Sequence, residues 1–490
     1  MSLSRCLLFG FVVTALSCGP VIAQQQLPSQ PVPSRLPISV AADSQVAQLL
    51  DPQNQPAPPA QTPGMQTPNQ PTGTPQATAP QQPGQVQQLT LQQAQTIAIQ
   101  NHPQVQGAMA LAAAAKAQVT QAKSQYYPTV FGSATGADAE NNSRIAAGAL
   151  NNPVIYERYA NGLTVDQLVT DFGRTHELVK SSDLHAKAQQ ENVVSTRADV
   201  LLGVDQAYYA LLRASAVLTV AQQTVKERQL VSDQVTALQR NQLRSGLDVT
   251  FANVDLAQAK LLLIQAQNDV DAAQAQLSAA LGYSDARTFQ VQDEPMPGAP
   301  PTDVTDLLQR AFMNRPELIG MRLDAQSAHS YATAERDLWF PTLSAAGSAG
   351  LTPVGADQLA PRYAAAGFNL NIPIFNGHLF GALQTEAKEN AIAQDQNVRG
   401  EVDLVARDVR TAWLNANSAY QRLSVTDQLL DEANQSVDLA QSRYNLGLSS
   451  IIELSQAQLN QTQAQIQEAS AKYDYQTQTA VLNFQIGALH

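Results

Sequence analysis

Two short polar segments of this 490-residue chain carry one pattern. Gln242-Leu243-Arg244-Ser245-Gly246-Leu247-Asp248-Val249 aligns with Gly447-Leu448-Ser449-Ser450-Ile451-Ile452-Glu453-Leu454. In each, a serine (Ser245, Ser450) stands three residues before an acid (Asp248, Glu453). At that spacing the hydroxyl accepts from a free N–H in the first helical turn while the acid reaches back to the serine N–H, so each segment predicts a capping box opening a helix. Other groups suited to chemistry are scattered. His176-Glu177 lacks the second histidine that a zinc-protease helix carries four residues after the first. No Gly-Lys phosphate loop and no nucleophile elbow occurs. These features argue against an enzyme, and they imply no metal and no cofactor.

The segment 1–23 predicts a signal peptide: one basic residue (Arg5), an apolar run from Cys6 to Leu16, and Val21-Ile22-Ala23 before a cleavage after Ala23. That run is shorter than the roughly 20 residues a spanning helix needs. Lipid attachment at Cys18 is the weaker alternative, because Ala15-Leu16-Ser17 lacks the large aliphatic residue usual three places before a lipidated cysteine. Both cysteines lie in this leader, so the mature chain is expected to carry no thiol for a disulfide, a metal or a nucleophile. From 24 to 88 the chain is rich in Pro and Gln and holds more than half of the 27 prolines. Such a segment cannot bury a core and predicts a disordered, partly extended arm. The net charge of −12 is spread along the chain rather than gathered in a tail, which argues against nucleic acid as a partner. It serves solubility or a negatively charged lumen.

The remaining chain reads as a tandem repeat, with repeat 1 at 89–284, a linker at 285–303 and repeat 2 at 304–490. Landmarks recur in one order at nearly constant separation. Asn101-His102-Pro103 answers Asn314-Arg315-Pro316, and Tyr127-Pro128 answers Phe340-Pro341. Asp171-Phe172-Gly173-Arg174 answers Phe375-Asn376-Gly377-His378, Ala207-Tyr208 answers Ala412-Trp413, and Leu281-Gly282 answers Ile486-Gly487.

Each repeat predicts a helix, two strands, a long helix and a returning helix. The first helices run from about Leu91 to Ser124 and from about Thr305 to Asp337, each ended by a proline. Strands are expected at Tyr127–Asp138, Tyr159–Asp171 and Thr342–Leu351. The clearest strand signal is Ala364, Ala366, Phe368, Leu370, Ile372 and Ile374 alternating with Ala365, Gly367, Asn369, Asn371 and Pro373. No proline interrupts Arg174 to Asn241, which predicts a helix of about 100 Å at 1.5 Å per residue. Val405, Val409, Ala412, Ala416, Ala419, Leu423, Thr426, Leu430, Ala433, Val437, Ala440 and Tyr444 step by four and three in turn. Ala252, Ala259, Ala266, Ala273 and Ala280 interleave with Leu256, Leu263, Val270 and Leu277 in the same way. Sustained seams of this kind predict antiparallel coiled-coil pairs, with Ala letting the axes come close.

An exported chain without a spanning helix crosses a bilayer only as a closed barrel. Four strands per chain are too few, since the smallest single-chain barrels use about eight. Three chains together would supply twelve. A soluble sheet packed on a core is the alternative.

The order of Asn-x-Pro, the aromatic-Pro junctions, Ile374-Phe375-Asn376-Gly377 and Arg443-Tyr444-Asn445-Leu446-Gly447 resembles the TolC family of outer-membrane efflux proteins, over about Leu89 to Leu489. The resemblance implies a mainly α fold with a small β part: long duplicated coiled-coil helices plus four strands per protomer. It further implies a homotrimer with a twelve-stranded β-barrel in outer-membrane lipid and a helical periplasmic tunnel. The implied function is that of the channel component of a tripartite efflux or type I secretion system, a passive duct working with a periplasmic adaptor and an inner-membrane pump.

The family closes its periplasmic end through polar contacts between the two turns. Carried across, Asp248 matches the acid of the first turn and Tyr444 the tyrosine of the second, so a Tyr444–Asp248 contact is expected. Glu453 stands where the family has an Asp, Leu247 replaces a Thr, Ser449 replaces an Arg and Gln456 replaces a second Asp. The resemblance thus implies an acidic ring that is single and a gate without the family's arginine lock. Arg244, Ser245, Gly246 and Leu247 with Gly447, Leu448, Ser449 and Ser450 are the tip positions expected to meet the adaptor. Tyr126, Tyr127, Trp339 and Phe340 suit an aromatic belt or plain helix-end packing. Asn141–Arg158 and Thr352–Arg362 are expected as outward loops. A periplasmic coiled-coil adaptor or adhesin would share the heptads but has no use for the strand pairs, and a periplasmic enzyme would need a polar cleft that unbroken seams do not offer.

Overall fold

The computed structural model describes residues 87–489 apart from 139, 141–155, 356 and 358. The expected signal peptide, all but the last two residues of the expected arm, and most of the first outward loop lie outside the described residues. In chain order the first half forms β1 (Gln87–Leu89), α1 (Leu91–Asn101), α2 (Pro103–Lys123), β2 (Thr129–Ala137), β3 (Arg158–Thr170), α3 (Arg174–Arg240) and α4 (Gly246–Ala280). The expected linker holds β4 (Phe289–Val291), and the second half forms α5 (Thr305–Asn314), α6 (Pro316–Arg336), β5 (Thr342–Gly355), β6 (Arg362–Asn371), α7 (Leu379–Asn445) and α8 (Ile451–Gln485). The fold is mainly α with a small β part.

Where one opening helix per half was expected, the structure has two. Pro103 offers no N–H and crowds the residue before it, so His102 is extended (φ −70°, ψ 124°) between α1 and α2. Arg315 does the same before Pro316 (φ −71°, ψ 114°). Two strand limits also shift. β6 ends at Asn371 rather than Ile374, because Pro373 cannot donate to a ladder. β5 runs on to Gly355, past the expected start of the second loop. The small parallel sheet of β1 and β4 had no sequence signal; Leu89 pairs with Val291 in it.

The larger sheet is antiparallel, in the order β2-β3-β5-β6. Its register sorts the side chains into two faces, since alternate residues point to opposite sides. The more apolar face carries Val130, Leu163, Val165, Ala345, Ala349, Phe368 and Leu370, with Asn161, Gln167 and Arg362 among them; the more polar face carries Thr129, Ser133, Thr164, Asp166, Ser344, Ser348 and Asn369, with Phe131, Leu168 and Tyr363 among them. The apolar face is uncovered: Val130, Leu163 and Phe368 are 59%, 57% and 79% exposed. β2 and β6 each have one edge without a strand beside it.

The helical body begins where the sheet ends. Asp171 closes the β3–α3 junction, its Oδ2 accepting from the Thr175 N–H at 2.7 Å and from the Thr175 hydroxyl at 2.6 Å. The sheet-proximal part of the body packs α2 and α6 against α3, and α6 against α7; further out α4 and α8 pair with α3 and α7. The predicted seams are the buried ones. Val405, Val409, Ala412, Ala416 and Ala419 line α7, and Ala252, Leu256, Ala259, Ala266, Ala273 and Leu277 line α4. A core around Tyr208, Leu211, Leu277 and Leu281 joins α1 and the β1–β4 pair to α3 and α4. Among the described residues no helix is long and apolar enough to cross a membrane.

Candidate functional site at the tips of the helix pairs

The α3–α4 and α7–α8 turns are built alike. Helix α3 ends with Gln242 in the left-handed region (φ 61°) and the Leu243 N–H bonded to the Leu238 carbonyl at 2.9 Å. Helix α7 ends with Gly447 at φ 72° and the Leu448 N–H bonded to the Arg443 carbonyl at 2.9 Å. Both are Schellman closures, which a glycine forms freely and a glutamine forms under strain.

The first predicted capping box is complete. Ser245 Oγ accepts from the Asp248 N–H and Asp248 Oδ2 accepts from the Ser245 N–H, both at 3.2 Å. The second is half made: Ser450 Oγ accepts from the Glu453 N–H at 3.4 Å, but the Glu453 carboxylate turns to Arg443 Nε at 3.3 Å. Both members of that ion pair are about half exposed, so it holds the turn weakly.

Tyr444 anchors the tip. It is buried with Val235, Ala252, Ala440, Ile451, Leu454 and Ala457. The Arg244 guanidinium lies 4.1 Å from the centre of its ring, and Arg244 Nη2 donates to the Tyr444 carbonyl at 2.6 Å. Burial raises the pKa of the phenol, and Asp248 adds to the shift against the pull of Arg244. The hydroxyl therefore stays protonated, and it has no hydrogen-bond partner among the described residues.

The expected Tyr444–Asp248 contact is thus not made in this structure, since the Asp248 carboxylate is held by its own cap. Within this chain an arginine of the first turn, Arg244, clasps the tyrosine, while the position of the family's arginine in the second turn holds Ser449. Ser449 Oγ is itself buried and without a partner. Gly246 opens α4, and around these groups Leu243, Leu247, Leu446 and Leu448 are 64–74% exposed. Among the described residues no three His, Cys, Asp or Glu side chains gather as a metal site.

A family model described as outer membrane efflux protein matches residues 83–283 and again 307–488. The chain belongs to the outer membrane efflux protein family. Like other members of that family, it is an outer-membrane channel protein with a large periplasmic helical part. It is 24% identical to the outer membrane protein TolC of Escherichia coli over 363 residues, covering 68% of this chain and 72% of TolC. The solved outer-membrane channel OprN superposes with a TM-score of 0.71 at 20% identity, covering 81% of this chain and 89% of OprN. The open state of the Neisseria gonorrhoeae outer membrane channel MtrE superposes with a TM-score of 0.66 at 19% identity, covering 81% of this chain and 88% of MtrE. Members of the outer membrane efflux protein family are passive channels rather than enzymes. The two spans of the family model each take in one of the tip turns.

Proposed function

We propose that three copies of this chain close one twelve-stranded barrel, with the apolar faces toward lipid and the polar faces toward water, and that their helices continue as a periplasmic tunnel. The carrying observation is the sheet itself: two unpaired edges and an uncovered apolar face on one four-stranded unit. An open edge in hydrocarbon strands backbone N–H and C=O groups, so the edges must pair with one another between copies. The exposed aromatic residues Tyr127, Phe172, Trp339, Phe340 and Phe375 stand where sheet passes into helix, the level at which an interfacial belt would anchor the barrel.

The duct is passive and works with a periplasmic adaptor and an inner-membrane pump, in efflux or in type I secretion. Its gate is at the tip turns, where Arg244 on Tyr444 holds the two helix pairs of one protomer together. Asp248 and Glu453, repeated by the threefold axis, add a ring of negative charge. The exposed leucines 243, 247, 446 and 448 are the adaptor-facing surface.

Membrane fractionation with cross-linking tests the assembly. A cross-linked trimer extracted by detergent from the outer membrane is the expected result; a soluble monomer would favour a periplasmic adaptor or adhesin and end this reading. Conductance of the trimer in planar bilayers tests the ring: Glu453→Gln is expected to lower cation preference, and an unchanged preference removes Glu453 from the gate.

A further inference from the structure

The strand register places one charge where the amino-acid pattern hides it. A single row across the four strands reads Thr129, Asp166, Ala346 and Gly367. Asp166 is the one acidic residue in β2, β3, β5 and β6, and it is exposed on the polar face. Its row neighbours are short and none is basic. The next row toward the loops, Phe131, Thr164, Ser348 and Ala365, carries no charge, and neither does the row after it, Ser133, Gly162, Gly350 and Tyr363. The basic residue of the same face, Arg158, sits at the loop end of β3, while Asp166 is near the helical end. Val165 and Gln167, on either side of Asp166 in sequence, point to the opposite face.

We propose that Asp166 is a selectivity-determining residue of the pore, favouring cations inside the barrel independently of the acids at the tip. This rests on the reading that three sheets close one barrel with their polar faces inward. Three carboxylates then stand at one level of the bore. Twelve strands about 4.8 Å apart and tilted by about 40° make a backbone cylinder roughly 24 Å across, of which about half stays open once side chains fill the rim. The Debye length is about 10 Å at 0.1 M salt and about 3 Å at 1 M. At the lower salt the fields of the three charges overlap across the bore. At the higher salt they are confined to the wall.

Reversal potentials of full-chain trimers in planar bilayers under a KCl gradient test the proposal. At about 0.1 M, Asp166→Asn is expected to lower the potassium-to-chloride permeability ratio by about twofold or more, and Asp166→Lys to lower it further. Both effects should fade near 1 M. The Asp166→Asn effect should persist in a Glu453→Gln background. Wild-type potentials from both Asp166 variants at low salt would overturn the proposal while leaving the channel intact. A wild-type chain that forms no conducting pore would instead sink the barrel reading. Labelling separates the remaining case: Asp166→Cys should react with a membrane-impermeant cationic thiol reagent and Val165→Cys should not. The reverse pattern would put Asp166 toward lipid and overturn the proposal without touching the barrel.

Discussion

Gly487 rests directly on the backbone of Asn314. A Cβ at Gly487 would stand 2.9 Å from the Asn314 carbonyl carbon and oxygen, and Gly282 lies against Asn101 in the first half with the corresponding gap at 3.1 Å. The Leu/Ile-Gly landmark and the Asn-x-Pro landmark of each half are therefore two sides of one contact. Each glycine ends a returning helix with positive φ, at the point where the proline has broken the opening helix.

Gly487→Ala combines left-handed strain at φ 70° with a collision against main chain that cannot move aside as a side chain would. The expected loss is on the order of 2 kcal/mol, read as a lower thermal midpoint of the detergent-solubilised protein. An unchanged midpoint would mean that α8 ends elsewhere.

Arg244→Ala removes both the ring contact and the bond to the Tyr444 carbonyl. Together these are worth on the order of 1–3 kcal/mol, enough to raise the open fraction of the channel about tenfold. Arg244→Lys keeps the charge but not the planar group that covers the ring, and is expected to restore closure only in part. Single-channel recordings in which the alanine variant gates like the wild type would remove Arg244 from the latch.

Asp205 is 3% exposed on α3, and Gln95 Nε2 donates to its Oδ1 at 2.6 Å. Burial pushes its pKa up to about 6, against the smaller downward pull of that hydrogen bond. The folded state thus holds the proton more tightly than the unfolded chain, where an aspartate titrates near about 3.9. The stabilising contribution of the protonated form is complete below about pH 4 and is lost as pH rises through about 6. Asp205→Asn should raise stability at neutral pH, by on the order of 3 kcal/mol at most, and gain little near pH 4. Chemical denaturation at the two pH values measures this, and a gain equal at both would rule out the titration.

Tyr208 is fully buried and its hydroxyl ties the small sheet to α3. Tyr208 Oη lies 2.9 Å from the Leu89 carbonyl and 2.6 Å from the Gln292 carbonyl, and accepts from the Gln292 N–H at 3.1 Å. Tyr208→Phe removes the hydroxyl from the Gln292 carbonyl, while the Gln292 N–H and the Leu89 carbonyl keep each other at 3.2 Å, at a cost of about 1–3 kcal/mol. Hydrogen exchange should quicken at Leu89 and Gln292 while the α7–α8 seam keeps its protection; uniform loosening would mean that the hydroxyl holds more than this sheet.

Several of these features were legible in the amino-acid pattern because they are local. The Ser245 cap, the seam from Val405 to Tyr444 and the extent of α3 follow from neighbours three, four or seven residues apart. The break at Pro103 was equally local, yet the apolar run through α1 and α2 masked it. In β2, β3 and β5, runs of Gly, Ala, Ser and Thr blur the alternation, and only β6 declared its face.

The sequence by itself determined the long helices, their seams and the duplicated order of elements, since helical period and chain breaks depend on adjacent residues. Tertiary structure alone decided the strand register that sets Asp166 apart on the polar face. It also decided the β1–β4 pairing and the seat of Arg244 on Tyr444. Each of these joins segments far apart in the chain, and their meeting depends on how the long helices bring the ends of one element to another, which no local pattern records.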